Sequence, residues 1–143
     1  MRRPVSDRVV LLPFPIAISD PAERKRRWTA YREDMLTQAG IALFVFGNKK
    51  NPAGDISLAD GMEEEFRLAL GKRLFVVPVG CTGSMAATLH KRVLDHFDDY
   101  FPTPGYRRMF EALQHPGTPT QVASRVLKIV NKLWDDRAVS REK

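Results

Sequence analysis

Short unbroken apolar runs alternate along the chain with longer stretches in which apolar residues return every three or four positions. The runs are Val9-Val10-Leu11-Leu12, Ile41-Ala42-Leu43-Phe44-Val45-Phe46 and Leu74-Phe75-Val76-Val77-Pro78-Val79. The last two lack polar alternation, the pattern of parallel strands covered by helices on both faces. The first is cut off by Pro13-Phe14-Pro15, so strands are predicted near 9–14, 41–46 and 74–79. Ser19-Asp20-Pro21 opens a helix from Pro21 to about Gln38, with Trp28, Tyr31, Met35, Leu36 and Ala39 as its apolar face and Gly40 as its stop. A second helix, Asp60 to about Leu70, turns Met62, Phe66, Ala69 and Leu70 inward and ends at Gly71. Further helices follow Gly80-Cys81-Thr82-Gly83-Ser84, span Tyr106 to Leu113, and run from Thr120 to about Asp135. Strands alternating with helices indicate an α/β domain built on a small parallel sheet.

Composition narrows the class. A chain of 143 residues is one domain by length, and 43% hydrophobic with 28% charged residues is ordinary for a globular protein. No apolar run approaches the roughly 20 residues that span a bilayer. No signal-peptide pattern follows the basic start, and the single cysteine, Cys81, suits a reducing cytoplasm. His90, His96 and His115 lack metal-ligand spacing, so no metal site is expected. The net charge of +6 and the pI near 9.8 favour an anionic partner. Much of the charge sits in Arg24-Lys25-Arg26-Arg27, which reads as a solvated helix face; no nucleic-acid module accompanies it.

The candidate chemistry gathers after the second strand. Gly47-Asn48-Lys49-Lys50 follows its carboxyl end, and a polar loop then leads to Gly61-Met62-Glu63-Glu64-Glu65-Phe66 at a helix start. Ligands of α/β proteins bind beyond the carboxyl ends of parallel strands. A lysine there reaches a phosphate or is simply solvated, and the first-turn glutamates complement the helix dipole or hold ribose hydroxyls. Gly80–Ser84 is either an anion-binding turn, through its backbone N–H groups and the Thr82 and Ser84 hydroxyls, or a plain strand-to-helix connection. The loop from Asn48 to Ser57 is long and polar enough to act as a flap. Arg32 lies beside the apolar stripe of its helix, as a rim residue or as a ligand contact. A Cys81 nucleophile lacks a histidine base.

Tyr31-Arg32-Glu33-Asp34-Met35, Ala39-Gly40-Ile41, Phe46-Gly47-Asn48-Lys49, Gly61-Met62 with Glu64-Glu65-Phe66, and Pro78-Val79-Gly80-Cys81-Thr82-Gly83 occur in an order and spacing that resemble the SLOG family. The resemblance is to the branch associated with sirtuin-type and TIR effector domains, the STALD group, and covers roughly residues 9 to 134. It implies a Rossmann-like three-layer fold and a non-enzymatic sensor of a cyclic ADP-ribose isomer in Thoeris anti-phage defence, coupled to a sirtuin-type or TIR effector that consumes NAD. It also implies the binding residues: Arg32, Gly47, Asn48, Lys49, Gly61, Glu64 or Glu65, Thr82 and Gly83. No further cofactor and no catalytic residue are implied.

Family members begin with a strand bearing a Ser-Gly-Ser-like turn and a second strand with a glycine-rich loop. Neither stretch occurs here, so the chain reads as the C-terminal portion of the family domain. A three-stranded sheet left open predicts a homodimer or a partner segment that completes it. Two alternatives stand beside the sensor. One is an N-glycosidic hydrolase or deoxyribosyltransferase using Glu64 or Glu65, although Leu58-Ala59-Asp60-Gly61-Met62 lacks the Pro-Gly-Gly-x-Gly-Thr-x-x-Glu signature of the LOG enzymes. The other is an oligomerisation module that binds no ligand.

Overall fold

The computed structural model describes residues 3–6 and 9–141, with side chains over 9–137. The expected α/β architecture is present: a small parallel sheet carries flanking helices. The chain separates into two compact units, Met1–Gly40 and Ile41–Lys143.

In the first unit, β1 (Arg3–Ser6) pairs antiparallel with β2 (Val9–Leu11). The apolar run at 9–14 is therefore not a third parallel strand, as the sequence predicted. It stops at Leu11 because Pro13 and Pro15 carry no N–H to extend a ladder. The proline segment is held by α1 (Pro21–Thr37) instead. The Trp28 indole N–H donates to the Pro15 carbonyl at 2.6 Å, and the Tyr31 hydroxyl donates to the Leu12 carbonyl. Phe14 packs between Trp28 and Tyr31, with ring centroids 5.2 and 5.0 Å away. Asp20 caps α1 by accepting from the Glu23 N–H at 2.7 Å, with proline next in the chain as expected.

The second unit is built on β3 (Ile41–Phe44) and β6 (Phe75–Pro78), which pair in parallel register from Ile41 opposite Phe75 to Phe44 opposite Pro78. Between them the chain forms a hairpin, β4 (Asn48–Lys50) and β5 (Ile56–Leu58), and then α2 (Asp60–Gly71). The region read as a loop long enough to act as a flap contains this antiparallel pair. Its turn is fixed by Asn51, whose Oδ1 accepts from the Asp55 N–H at 2.8 Å and whose backbone N–H donates to the Asp55 carbonyl at 3.0 Å.

After β6 come a 3₁₀ turn (Gly80–Thr82), α3 (Ser84–Asp95), the short α4 (Phe97–Tyr100), α5 (Arg107–Ala112) and α6 (Pro119–Arg141). One face of the parallel pair meets α2, where Phe44 and Phe66 pack edge to face at 5.5 Å. Val76 and Val77 point to opposite faces and both are buried. An aromatic cluster of Phe97, Phe101, Tyr106 and Phe110 fills the space under α5, with Phe101 and Phe110 centroids 4.5 Å apart. His90 is inside this core at 3% exposure, and its Nε2–H donates to the Phe110 carbonyl at 2.7 Å. The second face of β3 is covered less than the sequence predicted, since Leu43 remains 50% exposed.

Candidate functional site

The carboxyl end of β3 organises the site. The apolar run continues to Phe46 in sequence, but pairing ends at Phe44 because the backbone turns left-handed at Phe46 (φ 57°) and Gly47 (φ 93°). Glycine adopts that conformation freely; phenylalanine does so at a cost.

Hydrogen bonds hold the turn from several sides. The Phe46 N–H donates to Thr82 Oγ1 at 2.8 Å, and its carbonyl accepts from the Ala86 N–H at 2.8 Å. The Gly47 carbonyl accepts from Ala59 at 2.8 Å and from Met85 at 3.3 Å. The Phe46–Gly47 turn is therefore locked against the N-terminal ends of both α2 and α3. No side chain fits at residue 47: a Cβ there would stand 2.6 Å from Met62 Sδ and 2.8 Å from Met85 Cβ.

Three backbone N–H groups within Gly80–Ser84 have partners inside the protein. Cys81 N–H donates to the Leu113 carbonyl at 2.7 Å, Thr82 N–H to Val79 at 3.1 Å, and Gly83 N–H to Gly80 at 3.1 Å. Met85 and Ala86 are engaged by the Phe46–Gly47 turn. The Thr82 hydroxyl donates to the Val79 carbonyl at 2.7 Å while accepting from Phe46. These donors serve the connection itself, and Thr82 works as a clamp on the turn ahead of it.

Lys49, on β4, places its ammonium 2.6 Å from Asp60 Oδ1 at the first residue of α2. Sequence reading missed Asp60 as a partner, although a carboxylate at a helix start after a lysine-bearing strand was a usable signal. Hydrogen bonding from Lys49, reinforced by its charge and by the Gly61 N–H, holds the Asp60 carboxyl below its ordinary range. Both side chains are exposed, so the pair is easily opened.

Two of the α2 glutamates, Glu63 and Glu64, lie on the Arg92 side of the helix. Glu63 pairs with Arg92 at 2.7 Å, and Glu64 lines a cavity of about 400 Å³ with Arg67, Arg92 and Tyr100. Glu65 is half-buried next to it in sequence, and Gly61 opens the helix. A larger open groove, about 640 Å³, lies between the uncovered face of β3 and α6. Leu43, Val45 and Phe46 form one wall, Val122 and Leu127 the other, and Thr82 stands at its polar end. The two cavities share no residue, and Lys49 lines neither. Of the expected binding residues, Gly47, Thr82 and Gly83 come together at one turn, Asn48 and Lys49 leave it on β4, and Glu64 faces α3.

Arg32 belongs to the first unit. It is not a solvated rim residue: only 7% of it is exposed, and its guanidinium lies 5.3 Å from the Phe14 ring centroid and 5.9 Å from that of Trp28. In the basic cluster Arg26 and Arg27 both pair with Glu23, while Arg24 covers the Trp28 ring at 5.6 Å. Among the described residues no group of His, Cys, Asp and Glu could hold a metal ion, and no helix is long and apolar enough to cross a membrane.

The sequence pattern of the Sir2- and TIR-associating SLOG family, STALD, matches residues 1–133. The chain belongs to this family. The match extends the resemblance drawn from the motifs back through the β1–β2 pair. This STALD chain is 39% identical over 134 residues to the NAD(+) hydrolase ThsA of Acinetobacter baumannii (strain 532279), covering 88% of the chain and 28% of that protein. It is 32% identical over 134 residues to the NAD(+) hydrolase ThsA of Cytobacillus dafuensis, covering 92% of the chain and 27% of that relative. With the ThsA of Enterococcus faecium it shares 37% identity over 111 residues, 78% of the chain and 23% of the relative. The STALD chain thus spans under a third of the length of these relatives.

Proposed function

We propose that this STALD chain is the nucleotide-sensing part of a Thoeris anti-phage effector, binding a cyclic ADP-ribose isomer and transmitting its occupancy to an NAD-consuming partner domain. The observation that carries this reading is the turn at the carboxyl end of β3, where hydrogen bonds from several elements hold Phe46 and Gly47 and Lys49 follows on β4. That is the position at which open α/β sheets bind nucleotides. Lys49 takes a phosphate by exchanging Asp60 for the ligand, and Glu64 or Glu65 holds a ribose hydroxyl. The chain recognises and does not cleave. In support, Glu63 is paired with Arg92, and Arg67 and Arg92 line the same cavity as Glu64. NAD hydrolysis, which the relatives' names carry, belongs in this reading to a sirtuin-type domain outside the STALD portion.

Titration calorimetry with cyclic ADP-ribose isomers tests the proposal. The native chain should bind at least one isomer without releasing free base, and Lys49→Ala should lose about tenfold or more in affinity. Arg32→Ala is the companion variant that the family resemblance calls for. Absence of heat with every isomer on the native chain removes the reading.

A further inference from the structure

Phe46 combines features that rarely coincide. It is an aromatic residue in a left-handed backbone conformation (φ 57°), where glycine or asparagine would sit without strain. The residue is nonetheless 60% exposed, so burial of the side chain does little to compensate for the strain. Three neighbouring elements hold it there: Thr82 after β6, Ala86 in the first turn of α3, and Gly47, itself tied to Ala59 and Met85. Strain retained at an exposed, heavily braced residue is a mark of function.

The ring forms part of one wall of the 640 Å³ groove, which falls in the size range of small-ligand sites. Across from it stand the aliphatic side chains of Val122 and Leu127. The lining contains no charged side chain, and its nearest hydroxyl, Thr82, is already engaged. A flat, uncharged group fits such a slot and a phosphate does not. The cation, Lys49, comes three residues further along the chain, on β4. The arrangement separates an apolar slot for a ring from a basic position for an anion.

We propose that Phe46 is the stacking platform for the purine base of the nucleotide, with the base lying in the groove between its ring and α6. This rests on the nucleotide-sensing reading above and assigns its base specificity: ligands lacking a planar base, such as ribose 5-phosphate, are excluded from the groove. Thr82 is a positioning residue, acting through the Phe46 N–H.

The test uses the full chain with cyclic ADP-ribose isomers, and 1,N6-etheno-ADP-ribose as a fluorescent reporter of stacking. Phe46→Asn should leave the melting temperature unchanged or raise it, because asparagine accepts the left-handed backbone. The same variant should weaken binding about 5- to 100-fold, the range of a lost base–aromatic stack. Phe46→Trp should restore affinity and quench the etheno fluorescence on binding; Phe46→Leu, apolar but not aromatic, should not. Equal affinity in native, Asn and Leu forms overturns the platform while leaving the sensor reading intact. No binding by the native chain overturns both. If Phe46→Asn instead changes the oligomeric state measured by light scattering and leaves affinity unaltered, the groove is a protein interface and the proposal fails.

Discussion

Lys49 and Asp60 face each other at 2.6 Å across the gap between the hairpin and the first turn of α2. The pair places a carboxylate where the proposed ligand would put a phosphate. Asp60→Asn should therefore raise ligand affinity several-fold, while changing stability by no more than ~0.5 kcal/mol because both groups are exposed. Because the Asp60 pKa is depressed in the fold, whatever the pair contributes is present above the ordinary aspartate range and disappears as pH falls through the lowered value. Calorimetry of the variant alongside Lys49→Ala reads the affinities; weaker binding by Asp60→Asn would assign Asp60 to the ligand instead.

Gly47→Ala should destabilise the chain by roughly 2–4 kcal/mol, combining an unfavourable φ of 93° with overlap against Met62 and Met85. Met62→Ala in the same chain should recover part of the loss by opening space on the α2 side. Chemical denaturation of the single and double variants measures both. A Gly47→Ala protein as stable as the native one would mean that the turn is not locked as described.

Thr82→Val removes the acceptor of the Phe46 N–H and should cost about 1–2 kcal/mol, with Thr82→Ser close to native. Hydrogen exchange offers the sharper measurement. The Phe46 amide should lose protection in the valine variant and keep it in the serine variant.

Tyr106 is 2% exposed, donates its hydroxyl proton to Asp136 at 2.6 Å and lies under the Lys132 ammonium. Burial first, and the Asp136 carboxylate second, push its pKa above the ordinary tyrosine value. A raised pKa gives stability that is complete below about pH 10, the unfolded value, and is lost as pH climbs toward the folded one. Melting temperature should therefore fall at alkaline pH in the native chain. Tyr106→Phe should be less stable near neutrality by about 1–2 kcal/mol, with a flatter alkaline limb. Parallel limbs in the two proteins would show that another group titrates there.

How much of this was readable beforehand differs from element to element. Ile41–Phe44 and Phe75–Pro78 were legible as parallel strands because their runs are uninterrupted by polar residues, although one face of β3 is left partly open. The helices were legible through their spacing and through Asp20-Pro21 at the start of α1. Residues 9–11 were legible as a strand but not their pairing, since the partner, Arg3–Ser6, contains arginine and proline and gives no strand signal. The β4–β5 hairpin was hidden likewise: Asn48-Lys49-Lys50 has no β-forming residue, and the Asn51–Asp55 turn imposes its shape. Phe101 is buried although it follows α4 in a loop, because its partners Phe97, Tyr106 and Phe110 come from different segments.

The candidate site divides along the same line. Gly47, Lys49, Thr82 and the α2 glutamates could be chosen as a set from residue type and family motif, because a glycine after a strand and charges at a helix start are local signals. Which atoms they engage could not, since Thr82 answers to Phe46, Lys49 to Asp60 and Glu63 to Arg92, each a contact between distant positions. The sequence by itself determined the two parallel strands, the main helices, the glycine turn and the family, all of which depend on neighbours within a few residues. Only the tertiary structure decided that the Thr82 hydroxyl and the Met85 and Ala86 N–H groups brace the Phe46–Gly47 turn, and that one face of β3 stays open beside α6. Hydrogen-bond partners and uncovered surface are properties of packed elements, and no stretch of chain carries them alone.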